Sequence, residues 1–179
     1  MRTFIAIEIP EIIRKSIYSQ ITAFKGFALP IKWVSIENLH ITLKFLGEIT
    51  EKTTLEPLLR DTAGYQKPFA VTLRDTGCFP NARRPRVVWI GVDRGAERLS
   101  ILAQAVEEAL LQCGFPREGR FHPHLTIGRI KKPCSIDGIL EQEFMSEQFP
   151  VNSLVLFKST LTPHGAVYEP LQRFVFDKY

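Results

Sequence analysis

The pattern of apolar and polar positions repeats once along the chain. Residues 4–8 (Phe-Ile-Ala-Ile-Glu) and 89–93 (Trp-Ile-Gly-Val-Asp) are short apolar runs that each end in an acid, and they lie 85 residues apart. Apolar runs of this length are typical of buried strands. The pattern therefore predicts two equivalent strands, one near the start of the chain and one near its middle.

An amphipathic helix is predicted after each of these strands, from Pro10 to about Phe24 and from about Glu97 to Cys113. Apolar residues three and four positions apart share one face of a helix. Gly114 is a typical residue to end the second helix. The predicted apolar stripes are Ile12, Ile13, Ile17 and Ile21 in the first helix, and Leu99, Leu102, Val106, Leu110 and Leu111 in the second.

The remaining elements follow from weaker patterns. Alternation and turn residues predict a strand and a loop in the middle of the chain, and two closing strands joined by a Thr-Pro-His-Gly turn. Helical spacing predicts two further helices, the first weakened in its middle by Pro57. In chain order the predictions are a helix over 51–63, a strand over 69–73, a loop over 77–85, a helix over 135–145, and strands over 151–161 and 167–176.

A second repeat lies downstream of each predicted helix. His40-Ile41-Thr42-Leu43 and His124-Leu125-Thr126-Ile127 are both His-x-Thr-x and lie 84 residues apart. Two independent repeats at nearly the same offset predict an internal duplication with pseudo-twofold symmetry. We expect residues 1–179 to form one domain of two intertwined lobes, with repeats starting near residues 2 and 87.

The repeated motif suggests acid–base chemistry on a phosphate ester. Residues two apart in a strand face the same way, so each motif aims one imidazole and one hydroxyl at a common point. Histidine titrates near neutrality, and one imidazole can act as base while another acts as acid. Threonine hydroxyls can donate to phosphate oxygens. A single such motif is more often structural, but the matched pair favours catalysis by His40 and His124 with Thr42 and Thr126 beside them.

The residues that follow the motifs leave alternatives open. Arg129 comes five residues after His124, so simple alternation points it away from the motif. Gly128 could permit a bulge or bend that brings Arg129 back to the face of the motif. The alternative is a solvated arginine at the end of the strand. Lys44 has the parity of the first motif and could line the same groove as His40 and Thr42, yet a solvated lysine is the favoured interpretation. Phe45 has the opposite parity and is predicted to lie in the core, with stacking on a nucleobase as the alternative.

Two other sets of residues invite a ligand interpretation. His122 and His124 have His-x-His spacing, but no carboxylate or cysteine lies at a helpful spacing, so we predict no metal site. Arg83, Arg84 and Arg86 lie in a predicted loop that is either solvated or follows a sugar–phosphate backbone.

Composition narrows the class of protein. The chain has 179 residues, a net charge of +4 and 45% hydrophobic residues, which suits a globular domain with a mild preference for anionic ligands. Its three cysteines form no Cys-x-x-Cys pair, which favours reduced thiols and a cytoplasmic location. The acidic Glu8 interrupts the first apolar run, so neither a signal peptide nor a membrane span is expected there. No dinucleotide-binding or Walker motif is present.

These residues resemble a known family. The segments 40–47 (His-Ile-Thr-Leu-Lys-Phe-Leu-Gly) and 123–129 (Pro-His-Leu-Thr-Ile-Gly-Arg) resemble the paired motifs of the 2H phosphoesterase superfamily. The nearest branch is that of the bacterial and archaeal RNA 2',3'-cyclic phosphodiesterases, historically called 2'-5' RNA ligases. Residues 2–7, 79–80 and 85–92 also resemble that branch, so the resemblance covers essentially the whole chain.

The resemblance implies an α+β, bilobal, pseudo-twofold fold in which two antiparallel sheets face a central groove with helices outside. It implies metal-independent hydrolysis of an RNA 2',3'-cyclic phosphate end to a 2'-phosphomonoester, without a cofactor, and 2'-5' ligation in vitro by reversal. In family terms His40 is the general acid toward the leaving 3'-oxygen and His124 the general base that activates water. Thr42, Thr126 and Arg129 hold the phosphate. The expected partner is an RNA or oligonucleotide with such an end, and a monomer without membrane attachment is expected.

Two alternatives remain at this stage. The first is a phosphodiesterase of the same superfamily that acts on 2'-5'-linked oligonucleotides or on a cyclic ADP-ribose product. The second is an RNA-end binding module without catalysis, for which a degraded motif would be typical, whereas both motifs are intact here.

Overall fold

The computed structural model describes residues 1–50 and 54–177. Ten strands and four α-helices alternate along these residues, with one 3₁₀ turn at Ile36–Asn38. The strands are β1 (Arg2–Glu8), β2 (Ile31–Trp33), β3 (His40–Glu48), β4 (Phe69–Val71), β5 (Leu73–Phe79), β6 (Val87–Val92), β7 (His124–Ile130), β8 (Phe149–Val151), β9 (Ser153–Thr162) and β10 (Gly165–Val175). The helices are α1 (Glu11–Lys25), α2 (Glu56–Gly64), α3 (Ala96–Leu111) and α4 (Asp137–Leu140).

The strands form two four-stranded antiparallel sheets and one small two-stranded sheet. The first sheet has the order β10-β9-β1-β3, the second has the order β2-β7-β6-β5, and β4 pairs with β8. Each four-stranded sheet therefore contains one His-x-Thr strand, β3 or β7. The predicted α+β class with two antiparallel sheets is confirmed.

The two repeats identified in the sequence occupy equivalent places. The succession β1-α1-β3 and the succession β6-α3-β7 have the same order, and in each the two strands pair antiparallel. The two lobes are also intertwined, because β2 precedes the first motif in the chain but pairs with β7 of the second sheet. This arrangement supports the internal duplication. That the two repeats arose from one ancestral segment stays a prediction.

The two long helices bury narrower stripes than predicted. In α1, Ile13, Ile17 and Ile21 are buried at a spacing of four, whereas Ile12 is 75% exposed. Adjacent helical residues point about 100° apart, so only one of Ile12 and Ile13 can share the face of Ile17. For the same reason, Leu111 is exposed in α3 whereas Leu110, which precedes it, is buried.

Several element boundaries differ from the predictions because of tertiary pairing. Helix α2 begins at Glu56, so Pro57 occupies its first turn, where proline is tolerated, and not its middle; residues 51–53 of the predicted helix lie outside the described residues. The predicted strand over 69–73 is split between β4 and β5. Strand β5 extends into the first residues of the predicted loop, as far as Phe79, because it pairs with β6. The predicted helix over 135–145 is the single turn α4.

The first sheet buries apolar residues on both of its faces. Ile5, Ile7, Ile41 and Leu43 belong to the main core together with the buried stripes of α1 and α3. On the opposite face Phe4, Ala6, Val155 and Phe157 form a small separate cluster, against which Tyr168 packs. Within the described residues, no helix combines the length and the hydropathy needed to cross a membrane.

Candidate active site

A register slip of one residue follows the His-x-Thr motif in both sheets. Along the β1–β3 pair, Ala6 faces Thr42 but Ile5 faces Lys44, so Leu43 is the extra residue. Along the β6–β7 pair, Trp89 faces Thr126 but Val88 faces Gly128. A β-bulge of this kind reverses the alternation of side chains beyond it. The bulge predicted at Gly128 is confirmed, and its counterpart in β3 was not predicted.

The slips decide where the residues after each motif point. Arg129 and Phe45, each five residues after a motif histidine, line the same groove as the histidines. Phe45 is 55% exposed, so its predicted place in the core is wrong. Lys44 is 2% exposed, so the predicted solvated lysine is also wrong; its side chain turns inward at the edge of the groove, among the residues that line it. In both cases the bulge shifts the parity by one residue.

The two motifs meet in one groove of about 1070 Å³. The structure brings together all five predicted site residues there: His40, Thr42, His124, Thr126 and Arg129. The groove is closed on other sides by α3, by residues 118–123 and by Tyr168 of β10. The structure therefore gathers the parts that the sequence predicted for binding one small anion between two imidazoles.

His40 is oriented by bonds at both of its ring nitrogens. Its Nδ1 lies 2.7 Å from the carbonyl oxygen of Asn38, and its Nε2 lies 2.9 Å from Thr42 Oγ1. The Asn38 side chain is itself fixed, since its Nδ2 donates to the carbonyl of Ala166 at 2.7 Å. In the neutral ring, donation from Nδ1 to the carbonyl leaves Nε2 to accept a hydrogen bond from Thr42. The reactive nitrogen is thus Nε2, on the side of the hydroxyl.

His124 is held in the same way by the segment that precedes its strand. Its Nδ1 lies 2.6 Å from the carbonyl oxygen of His122. His122 precedes His124 by two residues, just as Asn38 precedes His40. The ring packs edge-on against Phe79, with centroids 4.9 Å apart, and the His122 ring lies 6.1 Å away in a stacked arrangement. A carbonyl that fixes Nδ1–H selects the tautomer with a free Nε2. The two histidines therefore share one tautomeric arrangement.

Burial makes both imidazoles weak bases. Desolvation lowers the pKa of His40 to about 4; the hydrogen bond to Asn38 opposes this, and the charges of His124 and Arg129 add to it. The pKa of His124 is also lowered, first by burial, against the effect of its carbonyl partner and with smaller contributions from His122 and Arg129. Without an anion in the groove, both rings are neutral at neutral pH.

The groove presents hydrogen-bond donors suited to an anion. Thr42 and Thr126 supply hydroxyls, and Arg129 supplies a planar guanidinium that matches phosphate geometry. In the part of the chain that the structure describes, no three side chains among His, Cys, Asp and Glu lie together in a way that could hold a metal ion.

The part that three residues play in the groove was missed in the sequence analysis. Asn38 and His122 each lie two residues before a motif histidine, and the 84-residue offset between them was the available signal. Tyr168 comes from β10 and packs edge-on against His40 at 5.2 Å between centroids, which no local pattern indicated.

The arginines of the loop between β5 and β6 do not line this groove, although Phe79 and Val87 on either side of the loop do. The backbone N–H groups of Arg83 and Arg84 donate to Asn81 Oδ1 at 3.1 and 3.2 Å, which shapes the turn between β5 and β6. Among the described residues, those that line the groove include neither of these arginines nor Arg86.

Comparison with known proteins gives a consistent result. Residues 15–162 match the family model of the 2'-5' RNA ligase superfamily. A protein of Methanocaldococcus jannaschii named RNA 2',3'-cyclic phosphodiesterase is 38% identical over 179 residues, covering 97% of this chain and 100% of that protein. A protein of the same name from Archaeoglobus fulgidus is 37% identical over 177 residues, covering 97% and 99%.

Solved structures share the fold. The crystal structure of TT0787 of Thermus thermophilus superposes with a TM-score of 0.86 at 31% identity, covering 98% of both chains. The structure of E. coli LigT complexed with 3'-AMP superposes with a TM-score of 0.74 at 29% identity, covering 98% of this chain and 97% of the other.

Proposed function

The chain belongs to the 2'-5' RNA ligase superfamily, and from this membership we propose that it hydrolyses RNA 2',3'-cyclic phosphate ends to 2'-phosphomonoesters. The resemblance drawn from the two motifs is thereby confirmed at the level of the family. One observation carries the proposal: His40 and His124 line a single groove, and a carbonyl fixes Nδ1 of each ring, which makes Nε2 the nitrogen that exchanges a proton.

His124 acts as the general base. Its neutral Nε2 takes a proton from a water molecule as the water oxygen attacks phosphorus and forms the new P–O bond. The lowered pKa of His124 keeps the ring unprotonated at neutral pH, which is the form that a base requires. The bond from its Nδ1 to the His122 carbonyl stabilises the imidazolium that forms.

His40 acts as the general acid. It donates the Nε2 proton to the 3'-oxygen as the P–O3' bond breaks, so that the phosphate stays on the 2'-oxygen. With a pKa of about 4 in the empty groove, His40 needs the negative charge of the substrate to become protonated. An anion near an imidazole favours its charged form, so substrate binding itself supplies the acid. Each turnover ends with His40 neutral and His124 charged, and a proton returns before the next.

The remaining groove residues hold the phosphate and the terminal nucleoside. Protonated His40 no longer accepts a hydrogen bond at Nε2, so the Thr42 hydroxyl is then available, like that of Thr126, to donate to a non-bridging oxygen. Arg129 balances the charge that develops on the phosphoryl group. Phe45, exposed in the same groove at the position equivalent to Arg129, offers an apolar face to a nucleobase. The two bulges thus provide a cationic contact from one sheet and an aromatic contact from the other.

Mass analysis of the product tests the proposal. An oligonucleotide that ends in a 2',3'-cyclic phosphate is incubated with the protein, with and without EDTA. We expect a 2'-phosphate product at the same rate under both conditions. A 3'-phosphate product would reverse the roles of the leaving oxygens, and loss of turnover with EDTA would refute metal independence. Binding without turnover would favour an RNA-end binding module.

The same displacement extends to ligation when an alcohol replaces water as the nucleophile. If the 5'-hydroxyl of a second RNA takes the place of water at His124, the step forms a 2'-5' phosphodiester and opens the cyclic phosphate with the same proton transfers. A panel that includes a 5'-hydroxyl oligonucleotide, 2'-5' oligoadenylate and cyclic ADP-ribose products distinguishes this from the other superfamily activities.

A further inference from the structure

Lys44 is a buried cation that the proposed chemistry does not use. It is 2% exposed, and its Nζ donates to the carbonyl of Pro116 at 2.9 Å and to Glu107 Oε1 at 3.2 Å, with a Glu118 carboxylate oxygen at 3.8 Å. A charge buried to this degree is costly unless it is paired and hydrogen-bonded. The contacts satisfy that requirement with groups from two other parts of the chain.

These contacts converge on the residues between α3 and β7, here named the connecting segment (112–123). Glu107 Oε1 also accepts a hydrogen bond from the backbone N–H of Glu118 at 2.7 Å. Phe115 and Phe121 of this segment pack on the core. In the described chain, residues 116–121 also make polar contacts with Lys44 and Glu107. A further polar contact is the exposed ion pair between Arg117 and Glu108, whose charged atoms lie 3.7 Å apart. The connecting segment is therefore tied at its centre to β3.

The connecting segment leads directly into the second motif. Residues 118–123 form one wall of the groove, and the carbonyl of His122 fixes the ring of His124. Lys44 itself lies two residues after Thr42 in the first motif strand. The buried ion pair thus joins the strand that carries one catalytic histidine to the segment that orients the other.

The equivalent position in the second sheet shows why only one lobe has this contact. Gly128 lies 84 residues after Lys44, and a Cβ there would come within 2.6 Å of Ile31 Cγ2 and 3.1 Å of the Trp33 ring. Strand β2 occupies that space in the second sheet. In the first sheet the space is open to a long side chain that reaches α3.

From this geometry we propose that Lys44 is a positioning residue that sets the distance and orientation of His124 relative to His40 through Glu107 and the connecting segment. The proposal rests on the proposed function, because it concerns the same pair of histidines. It assigns Lys44 no contact with the substrate.

The test compares Lys44→Met, which keeps the length of the side chain but removes its charge and donors, with Lys44→Arg, which restores both. Lys15→Met is the matched control, because Lys15 pairs with Glu11 at 2.7 Å on the exposed face of α1. For each variant we measure hydrogen–deuterium exchange over residues 112–123 and the steady-state rate on a cyclic-phosphate oligonucleotide, corrected for the folded fraction.

We expect Lys44→Met to speed exchange in the connecting segment while exchange in β6 stays unchanged. Since a displacement of about 1 Å can cost about 100-fold in rate, kcat should fall by about tenfold or more. KM should change far less, because the phosphate contacts remain. Lys44→Arg should recover most of kcat, and Lys15→Met should match the wild type. A purely structural role would lower the folded fraction without the selective change in kcat.

Two outcomes overturn the proposal: wild-type exchange in the connecting segment of Lys44→Met, or wild-type kcat in that variant. If Lys44→Met does not fold, Glu107→Gln decides, since it removes the carboxylate charge with almost no change in volume. Unchanged exchange and kcat in Glu107→Gln would then overturn the proposal. If the wild type does not hydrolyse cyclic phosphates, the proposed function fails, while the exchange data still report whether Lys44 fixes the segment.

Discussion

The low basicity of the paired histidines predicts an unusual pH dependence of kcat/KM. This quantity reports the free enzyme, in which the pKa of His40 is about 4 and the pKa of His124 is also below its ordinary 6.5. Catalysis needs one proton on the pair. Above both pKa values, the share of molecules with that proton falls tenfold for each pH unit. Because both pKa values lie below 6.5, we expect kcat/KM to begin its fall below pH 6.5 and then to decrease about 100-fold over two pH units.

The substrate complex should behave differently. The phosphate anion favours protonated His40, so the basic limb of kcat should lie at a higher pH than that of kcat/KM. The two limbs belong to the coupled pair and not to either residue alone. Initial rates on a labelled cyclic-phosphate oligonucleotide, far below and far above KM, provide both profiles. An NMR titration of the His40 ring in the free protein measures its pKa directly.

The reasoning fails if kcat/KM still rises with pH up to pH 6.5, or if His40 titrates near 6.5. Circular dichroism across the same range provides the control for unfolding. A profile that fits normal histidines would mean that water or an anion reaches His40 in solution and offsets its burial.

Three further predictions concern stability and charge geometry. A histidine with a lowered pKa destabilises the fold as pH falls from its unfolded-state to its folded-state pKa, which for His40 means from 6.5 to about 4. Over this range the free energy of unfolding of the wild type, measured in urea, should fall by about 3 kcal/mol more than that of His40→Gln. Gly77→Ala would place a Cβ within 2.1 Å of the Trp89 ring, so we expect it to lower the free energy of unfolding by about 1–3 kcal/mol and to alter Trp89 fluorescence. The control Gly64→Ala has open space around the new Cβ and should change neither quantity. Arg129→Lys keeps the charge but loses the planar fork, so kcat/KM should fall about tenfold or more in steady-state assays, and equal activity would argue against bidentate phosphate contact.

The site could be predicted to the extent that its residues repeat. The His-x-Thr pair and the strand before it recur at matched offsets, and that recurrence predicted the shared groove. Gly128 also indicated its bulge, because glycine is common where a strand deviates. The equivalent bulge at Leu43 carries no such residue, and its omission is the reason that Lys44 and Phe45 were placed on the wrong faces.

The rest depends on contacts between residues distant in sequence. Lys44 is buried because Glu107 lies opposite it, 63 residues later, and no local pattern links the two. Tyr168 reaches His40 from β10 for a similar reason. The boundary of β5 follows its partner β6 and overrides the turn residues after Gly77. Local pattern predicts which face a strand presents only until a slip in register intervenes.

The strand order of the first sheet has a consequence for how the protein is made. Strand β1 hydrogen bonds to β3 on one side and to β9 on the other, whereas the second sheet takes all of its strands from residues 31–130. A chain emerging from the ribosome can therefore complete the sheet of His124 first, while β1 keeps an open edge until residues 153–175 are synthesised. The groove is therefore complete only after the β9–β10 hairpin has docked on β1, because that hairpin brings Tyr168 against the His40 ring.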